Sequence, residues 1–178
     1  MKIIKLVLPS EEYLQSYLDA CREMKDEGVE TFSIHDPEQF KDWKDTIFQT
    51  YNERRKGINL KSGYVPDTTF WLVENGEFIG LGSVRHRLTP ALESFGGHIG
   101  YMIRPSRWNQ GYGSLQLKLL LTEAAKLGIE KALLTCSIYN PGSAKVMEKN
   151  GGVRIDTTEV FAEDELHHIH KYLIPTSK

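Results

Sequence analysis

Asn75-Gly76 lies between two apolar runs, Phe70-Trp71-Leu72-Val73 and Phe78-Ile79-Gly80-Leu81. No other feature constrains the chain as much. A two-residue hairpin turn needs positive φ at both central positions, and Asn-Gly supplies it at the least steric cost. The middle of the chain therefore reads as an antiparallel hairpin, and the flanking segments must pack on it. Residues 2–8 read as an opening strand, stopped at Pro9-Ser10. Ser10 is placed to cap a helix whose first turn carries Glu11 and Glu12 and whose apolar face is Tyr13, Leu14, Tyr17, Leu18, Cys21 and Met24. Asp36, Pro37 and Gln39 begin a second helix with Phe40, Trp43, Ile47, Phe48 and Tyr51 inward and Gly57 as its stop.

After the hairpin, a loop around Thr89-Pro90 leads to a strand from Gly97 to Ile103, then to a helix carrying Leu115, Leu117, Leu119, Leu120, Leu121 and Ala124. A short strand over 133–137, a helix over 142–149 and two strands, about 153–161 and 166–174, complete the order β-αα-ββ-β-α-β-α-ββ. That order predicts an α+β fold with a mixed sheet. The 178 residues suit one domain.

With 40% hydrophobic and 26% charged residues, the composition excludes wholesale disorder and a coiled coil. The net charge of −2 lacks the basic excess of a nucleic-acid binder. No apolar run reaches the ~20 residues that cross a bilayer, so no membrane partner is expected. The N-terminus has neither the apolar run nor the cleavage site of a secretory signal. Cys21 and Cys136 form no C-x-x-C pair, and reduced thiols in the cytoplasm are expected.

Residues 100–114, GYMIRPSRWNQGYGS, carry the most chemistry. A strand ends at Arg104-Pro105, a loop with Gly111 and Gly113 follows, and a helix begins at once. The first amides of such a helix have no intrahelical partners and point at whatever lies there, which makes a site for phosphate or pyrophosphate. The bland alternative is a tight turn and nothing more. A P-loop fails because Ser114-Leu115 follows Gly113 in place of Lys-Ser or Lys-Thr. A dinucleotide fingerprint fails because the third glycine position is Gln116.

This stretch resembles the GCN5-related N-acetyltransferases, whose acyl-CoA loop reads [QR]-x-x-G-x-[GA]. The matching residues are Trp108-Asn109-Gln110-Gly111-Tyr112-Gly113, with Trp108 in the Gln/Arg position. The stretch from Pro105 to Gly113 is close to the P-x-[FY]-W-x-[KQ]-G-[YL]-[GA] of the branch resembling ribosomal-protein N-terminal acetyltransferases. A second block, Asn140 to Gly152, looks like N-x-x-S-x-x-V-x-E-K-x-G-F, with Gly152 for the usual aromatic. The resemblance covers about residues 68–174.

The resemblance implies acetyl-CoA as co-substrate and an amine of a small molecule or peptide as acceptor, with no metal. It implies splayed core strands with the pantetheine arm in the gap, beside Tyr101, Met102 and Ile103. The pyrophosphate would lie on the amides from Asn109 to Ser114, with Trp108 beside them; Asn140 would bond the pantetheine or adenine-side portion from the other strand, and Ser143 would also contact the cofactor. A strand amide near Met102 would polarise the thioester carbonyl. Relatives place an acidic tyrosine seven residues after the asparagine; here that residue is Met147, which has no proton to donate. Tyr139 and Ser143 are the nearby alternatives. His98 is the first candidate base, where relatives carry Glu, and Glu93 the second; a purely structural histidine is the bland reading of His98. The family also allows a homodimer. A non-catalytic acyl-CoA-binding module is the alternative function.

Two further stretches read blandly first. Arg85-His86-Arg87 is a solvated strand end, or a cation for an anionic substrate. Leu166-His167-His168-Ile169-His170 lacks the matching ligands of a metal tract.

Overall fold

In the computed structural model the strands form two antiparallel sheets. The structure describes residues 2–29, 35–162 and 164–176. One sheet runs β1 (Ile4–Val7), β2 (Asp67–Glu74), β3 (Glu77–Arg85), β4 (Ile99–Ile103), in that order. The other holds β5 (Lys131–Ser137), β6 (Val153–Ala162) and β7 (Glu165–Pro175), with β7 in the middle. The hairpin expected at Asn75-Gly76 joins β2 to β3; its two residues have φ of 51° and 89°. A bulge between Leu72 and Val73 then shifts the register, so that Asp67 lies opposite Arg85.

The helices are α1 (Leu14–Asp26), α2 (Phe40–Trp43), α3 (Ile47–Lys56), α4 (Pro90–Ser94), α5 (Tyr112–Lys126) and α6 (Pro141–Lys149). Ser10 makes no side-chain cap; its carbonyl accepts from Tyr13 N–H in a short turn before α1. The single helix expected from Asp36 to Gly57 is broken. Asp36 does cap, accepting from Glu38 N–H at 3.0 Å, but Thr46 folds its hydroxyl onto the Trp43 carbonyl between α2 and α3. Local hydroxyl-to-backbone bonds of this kind compete with a continuing helix. The expected loop at Thr89-Pro90 contains α4, with Thr89 accepting from Leu92 N–H and Pro90 in the first turn.

The gap expected between splayed strands separates β4 from β5. Helix α5 holds the two sheets together across it. Its Leu117, Leu120, Leu121 and Ala124 share one core cluster with Val84 and Ile99 of the first sheet and Leu134, Tyr172 and Ile174 of the second. On the other face of the first sheet, Tyr17 of α1 stacks on Trp71 at 4.7 Å, and Phe78 meets both rings edge-on. Such aromatic pairs add about 0.5–1.5 kcal/mol each beyond the area they bury.

The sheets touch at one end of the gap. Gly97 bridges Leu134 there, with φ of 66°. A Cβ on Gly97 would lie 2.2 Å from the Leu133 carbonyl oxygen, so no other residue fits without moving backbone. His98 completes the joint. Its N–H donates to Leu133 O at 2.6 Å, and its ring Nδ1 accepts from Leu133 N–H at 3.0 Å. The substitution Gly97→Ala is expected to lower unfolding free energy by about 2–4 kcal/mol, measured by urea titration. Full retention of stability would mean the joint is slack.

Candidate active site

Ladder geometry decides which backbone groups the gap receives. Arg85 N–H donates to His98 O and Arg104 N–H to Ile79 O, so the His98 carbonyl and the backbone groups of residues 100, 102 and 104 turn to β3. Ile99, Tyr101 and Ile103 turn theirs to the open edge of β4. Of the three residues expected there, Tyr101 and Ile103 are therefore in place, while the Met102 amide is committed to β3. The amides near Met102 that face the gap are those of Tyr101 and Ile103.

A cavity of about 390 Å³ occupies the gap, walled by Tyr101, Met102, Cys136, Asn140, Ser143 and Met147 among others. Tyr101 reaches across it, with its hydroxyl 2.9 Å from Ser143 Oγ and 3.3 Å from Ser143 O. Burial pushes the Tyr101 phenol pKa up, so it stays protonated at neutral pH. Asn140 caps α6, its Oδ1 accepting from Ser143 N–H at 2.9 Å; its amide NH2 has no part in that bond. Met147, in the position where relatives carry tyrosine, is buried and forms wall. Burial likewise raises the Cys136 thiol pKa.

The glycine loop lies at the far end of β4. Arg104 anchors it, donating to Glu23 Oε2 at 2.8 and 2.6 Å and to Glu77 Oε1 at 3.0 Å. Burial alone would push the Glu23 carboxyl up; the Ser106 N–H and the Arg104 guanidinium outweigh it and hold the pKa below the usual range. Trp108 Nε1 donates to Ile103 O at 2.6 Å, and Gln110 Nε2 to Ser106 O at 2.9 Å. Asn109 and Gly111 both have positive φ, 58° and 87°, and α5 starts without a side-chain cap. Leu115 N–H is the first to bond within the helix, to Gly111 O. The amides of Tyr112, Gly113 and Ser114 thus form an uncapped N-terminus, which suits an anion. The Tyr112 side chain is buried on the other side, donating to Glu74 Oε2 at 2.8 Å, so only its backbone belongs to the loop.

A second cavity, about 440 Å³, lies over the β2–β3 face beneath α3. Arg85, Leu92 and Gly100 line both cavities, so the two meet there. Arg54 donates to Asp67 in a fork, Nε to Oδ1 at 2.7 Å and Nη2 to Oδ2 at 2.9 Å. Arg85 Nη1 donates to Gly97 O at 2.8 Å. Tyr51 lines this cavity with a buried hydroxyl that has no hydrogen-bond partner among the described residues, its pKa pushed up to about 12 chiefly by burial. His35 completes this end. Tyr17 OH accepts from its N–H at 3.2 Å and meets its Nδ1 at 2.9 Å.

Four sequence expectations fare differently. Ser143 is in the gap. Tyr139 is 77% exposed, edge-on to His168, and lines neither cavity. His98 also lines neither; its Nδ1 lone pair is taken by Leu133 N–H, which leaves the ring proton on Nε2 and no site to accept another. The expectation of a base at His98 gives way to a structural role at the joint. Glu93, the second candidate, is exposed on α4. Arg54 and Asp67 were not anticipated. Among the described residues no three metal-ligating side chains converge, and no helix is long and apolar enough to cross a membrane.

A family model described as the acetyltransferase (GNAT) domain matches residues 8–153. The chain belongs to this acetyltransferase family. It is an N-acetyltransferase by that membership. No curated relative matches by sequence. Similar solved structures include the Salmonella typhimurium acetyltransferase that modifies the N-terminal serine of ribosomal protein L7/L12. It is 18% identical with a TM-score of 0.68, over 97% of this chain and 94% of that one. A spermidine N-acetyltransferase SpeG chimera from Vibrio cholerae and hSSAT is 15% identical with a TM-score of 0.61, over 97% and 95%. YncA of Salmonella typhimurium, solved with its cofactor acetyl-CoA, is 12% identical with a TM-score of 0.65, over 98% and 95%.

Burial, first, and the Arg85 charge, second, lower the His98 pKa below its ordinary 6.5. Because the folded value is the lower one, the His98 contribution to stability is complete above 6.5 and is lost as pH falls through the folded midpoint. An NMR titration is expected to show that midpoint below 6.5 with the proton on Nε2. A proton on Nδ1 would remove His98 from the joint.

Proposed function

We propose that this acetyltransferase moves an acetyl group from acetyl-CoA to a primary amine of a small molecule or peptide, by direct attack of the amine on the thioester. The observation that carries the reading is the meeting of two cavities at Arg85, Leu92 and Gly100: one opens beside the unpaired edge of β4, the other over the β2–β3 face. Two substrates entering from opposite sides come together there. Holding them in line converts a bimolecular step into a unimolecular one, which supplies a large part of the barrier reduction.

The uncapped amides of Tyr112, Gly113 and Ser114 hold the pyrophosphate, and the Tyr101 and Ile103 edge of β4 pairs with the pantetheine amides. Asn140 contacts the arm through its free amide NH2. A bound acetyl thioester supplies the electrophilic carbonyl. Nitrogen bonds to that carbon, the carbon–sulfur bond breaks, and the electron pair leaves on sulfur. Ser143 Oγ–H donates the proton that the departing thiolate takes. Tyr101 OH keeps Ser143 oriented and resupplies it. The ammonium proton leaves to water, since His35 has Nδ1 facing Tyr17 and Asp67 is held by Arg54. The similar structures act on a protein N-terminus and on spermidine, so acceptors differ widely within this fold.

Calorimetric titration is expected to show binding of acetyl-CoA but not of ATP or NAD. Gly111→Glu puts a bulky anion where φ is 87° and the phosphates lie, and should abolish that binding in a folded protein. Unchanged affinity would dismiss the loop. Ser143→Ala is expected to lower kcat about a hundredfold with the KM for acetyl-CoA little altered. Tyr101→Phe should lower kcat less. An unaltered kcat in Ser143→Ala would move the acid elsewhere.

A further inference from the structure

The second cavity has a charge balance that bears on which amine it admits. Asp67 is the sole carboxylate among the described residues lining it, and it is only 3% exposed. Both its oxygens accept from the Arg54 fork, so its charge is already balanced by a guanidinium before any substrate ammonium arrives. The remaining charged side chains of the lining are the two arginines. Arg54 spends Nε and Nη2 on Asp67, which leaves Nη1. Arg85 spends Nη1 on Gly97 O and Gly96 O, which leaves Nε and Nη2 without a partner among the described residues. The lining therefore carries one more positive charge than negative, with unspent guanidinium donors.

The backbone sets this arrangement. Asp67 and Arg85 are paired across the β2–β3 ladder, as are Thr69 and Ser83 two residues on, so all four project from the same face. Arg54 descends onto that face from α3. Arg85 also stands at the junction with the first cavity, beside Gly100. A group held by Arg85 is thus a few bonds from the place where the acetyl carbon is attacked. Guanidinium forks match the planar geometry of a carboxylate.

We propose that the acceptor is a small amine that carries its own carboxylate, of the amino-acid class, with the carboxylate held by Arg85 and the free edge of Arg54 and the amine presented at the junction. This rests on the acetyl-transfer reading above. A polyamine or an aminoglycoside brings several cations into a cavity whose described lining already has an excess of them and whose one carboxylate is paired with Arg54. Repulsion of that kind selects against a competitor as effectively as contacts select for the substrate. The buried, unpartnered Tyr51 hydroxyl at the same cavity supplies a further donor for a polar group of the acceptor.

The experiment is a thiol-release assay with acetyl-CoA over matched pairs: L-amino acids, their C-terminal amides and the corresponding decarboxylated amines. Spermidine, kanamycin and a neutral peptide complete the panel. An amino acid is expected to exceed its own amide and decarboxylated amine by about ten- to a hundredfold in kcat/KM, the range for one charge-assisted contact. In Arg85→Gln the ratio of acid to amide should collapse towards one. Both substrates are measured on the same protein, so partial loss of fold cancels from the ratio. Arg85→Lys keeps the charge without the fork and should retain part of the preference. Spermidine, kanamycin, the peptide or an amide used as well as the best amino acid would overturn the proposal while leaving acetyl transfer intact. So would an acid-to-amide ratio untouched by Arg85→Gln. Failure to bind acetyl-CoA in a folded sample would instead overturn the acetyl-transfer reading, and this proposal with it.

Discussion

A β-sheet that opens between two of its strands leaves backbone groups without partners, and something else must then keep the halves together. In this protein the task falls on helix α5 and one short joint. The leucines of α5 bury themselves against both sheets at once, so the hydrophobic term that the helix contributes also fixes the distance across the gap. At the joint, Gly97 and His98 make the closest approach, and the His98 imidazole takes the place of a backbone acceptor for Leu133 N–H. Opening therefore has a defined extent: closed at Leu133, open from Ile99 to Ile103. The unpaired edge that results is a structural liability in most proteins. Here it is also the surface on which an extended amide-bearing molecule can lie as an extra strand.

The same helix ties the two ends of the site to one rigid element. Its first turn presents amides at the end of β4, and its later turns hold the walls of the gap. Moving α5 would move the glycine loop and the gap together. The Arg104 cluster does the corresponding work for the loop, joining α1, β3 and the turn after β4 through Glu23 and Glu77. A flexible glycine loop is thereby held at both ends, by ion pairs before it and by a packed helix after it. Pre-organisation of this kind reduces the ordering that a ligand must impose.

How much of this was legible in the sequence depended on the range over which each feature is determined. Asn75-Gly76 specifies its turn locally, and the turn is there. The capping residues Asp36, Thr89 and Asn140 act within three residues, and each receives its bond. Gly111 and Gly113 precede a helix and mark the loop for the same reason. The break between α2 and α3 was not visible, because an apolar periodicity continues through it while the Trp43 indole, which donates to Asp36 O, turns the chain. His98 was misjudged because the Leu133 amide it meets lies 35 residues away.

Asp67 and Arg85 show the limit most clearly. Counting pairs outward from the Asn75-Gly76 turn sets Asp67 against Val84, and the two charges fall on different faces of the hairpin. The bulge between Leu72 and Val73 advances β3 by one residue, and Arg85 arrives opposite Asp67. A slip of one residue exchanges the faces of every side chain beyond it. Arg85 thus ceases to be a solvated strand end and becomes a half-buried cation at the meeting of two cavities. Nothing local to Leu72-Val73 announces the bulge. It is dictated by packing: Val73 and Phe78 belong to the cluster under α1, Leu72 and Ile79 to the one under α5, and the extra residue on β3 lets both clusters fill. The polar character of the cavity beneath α3 is in this sense a consequence of how the apolar residues near the turn divide between the two faces of the sheet.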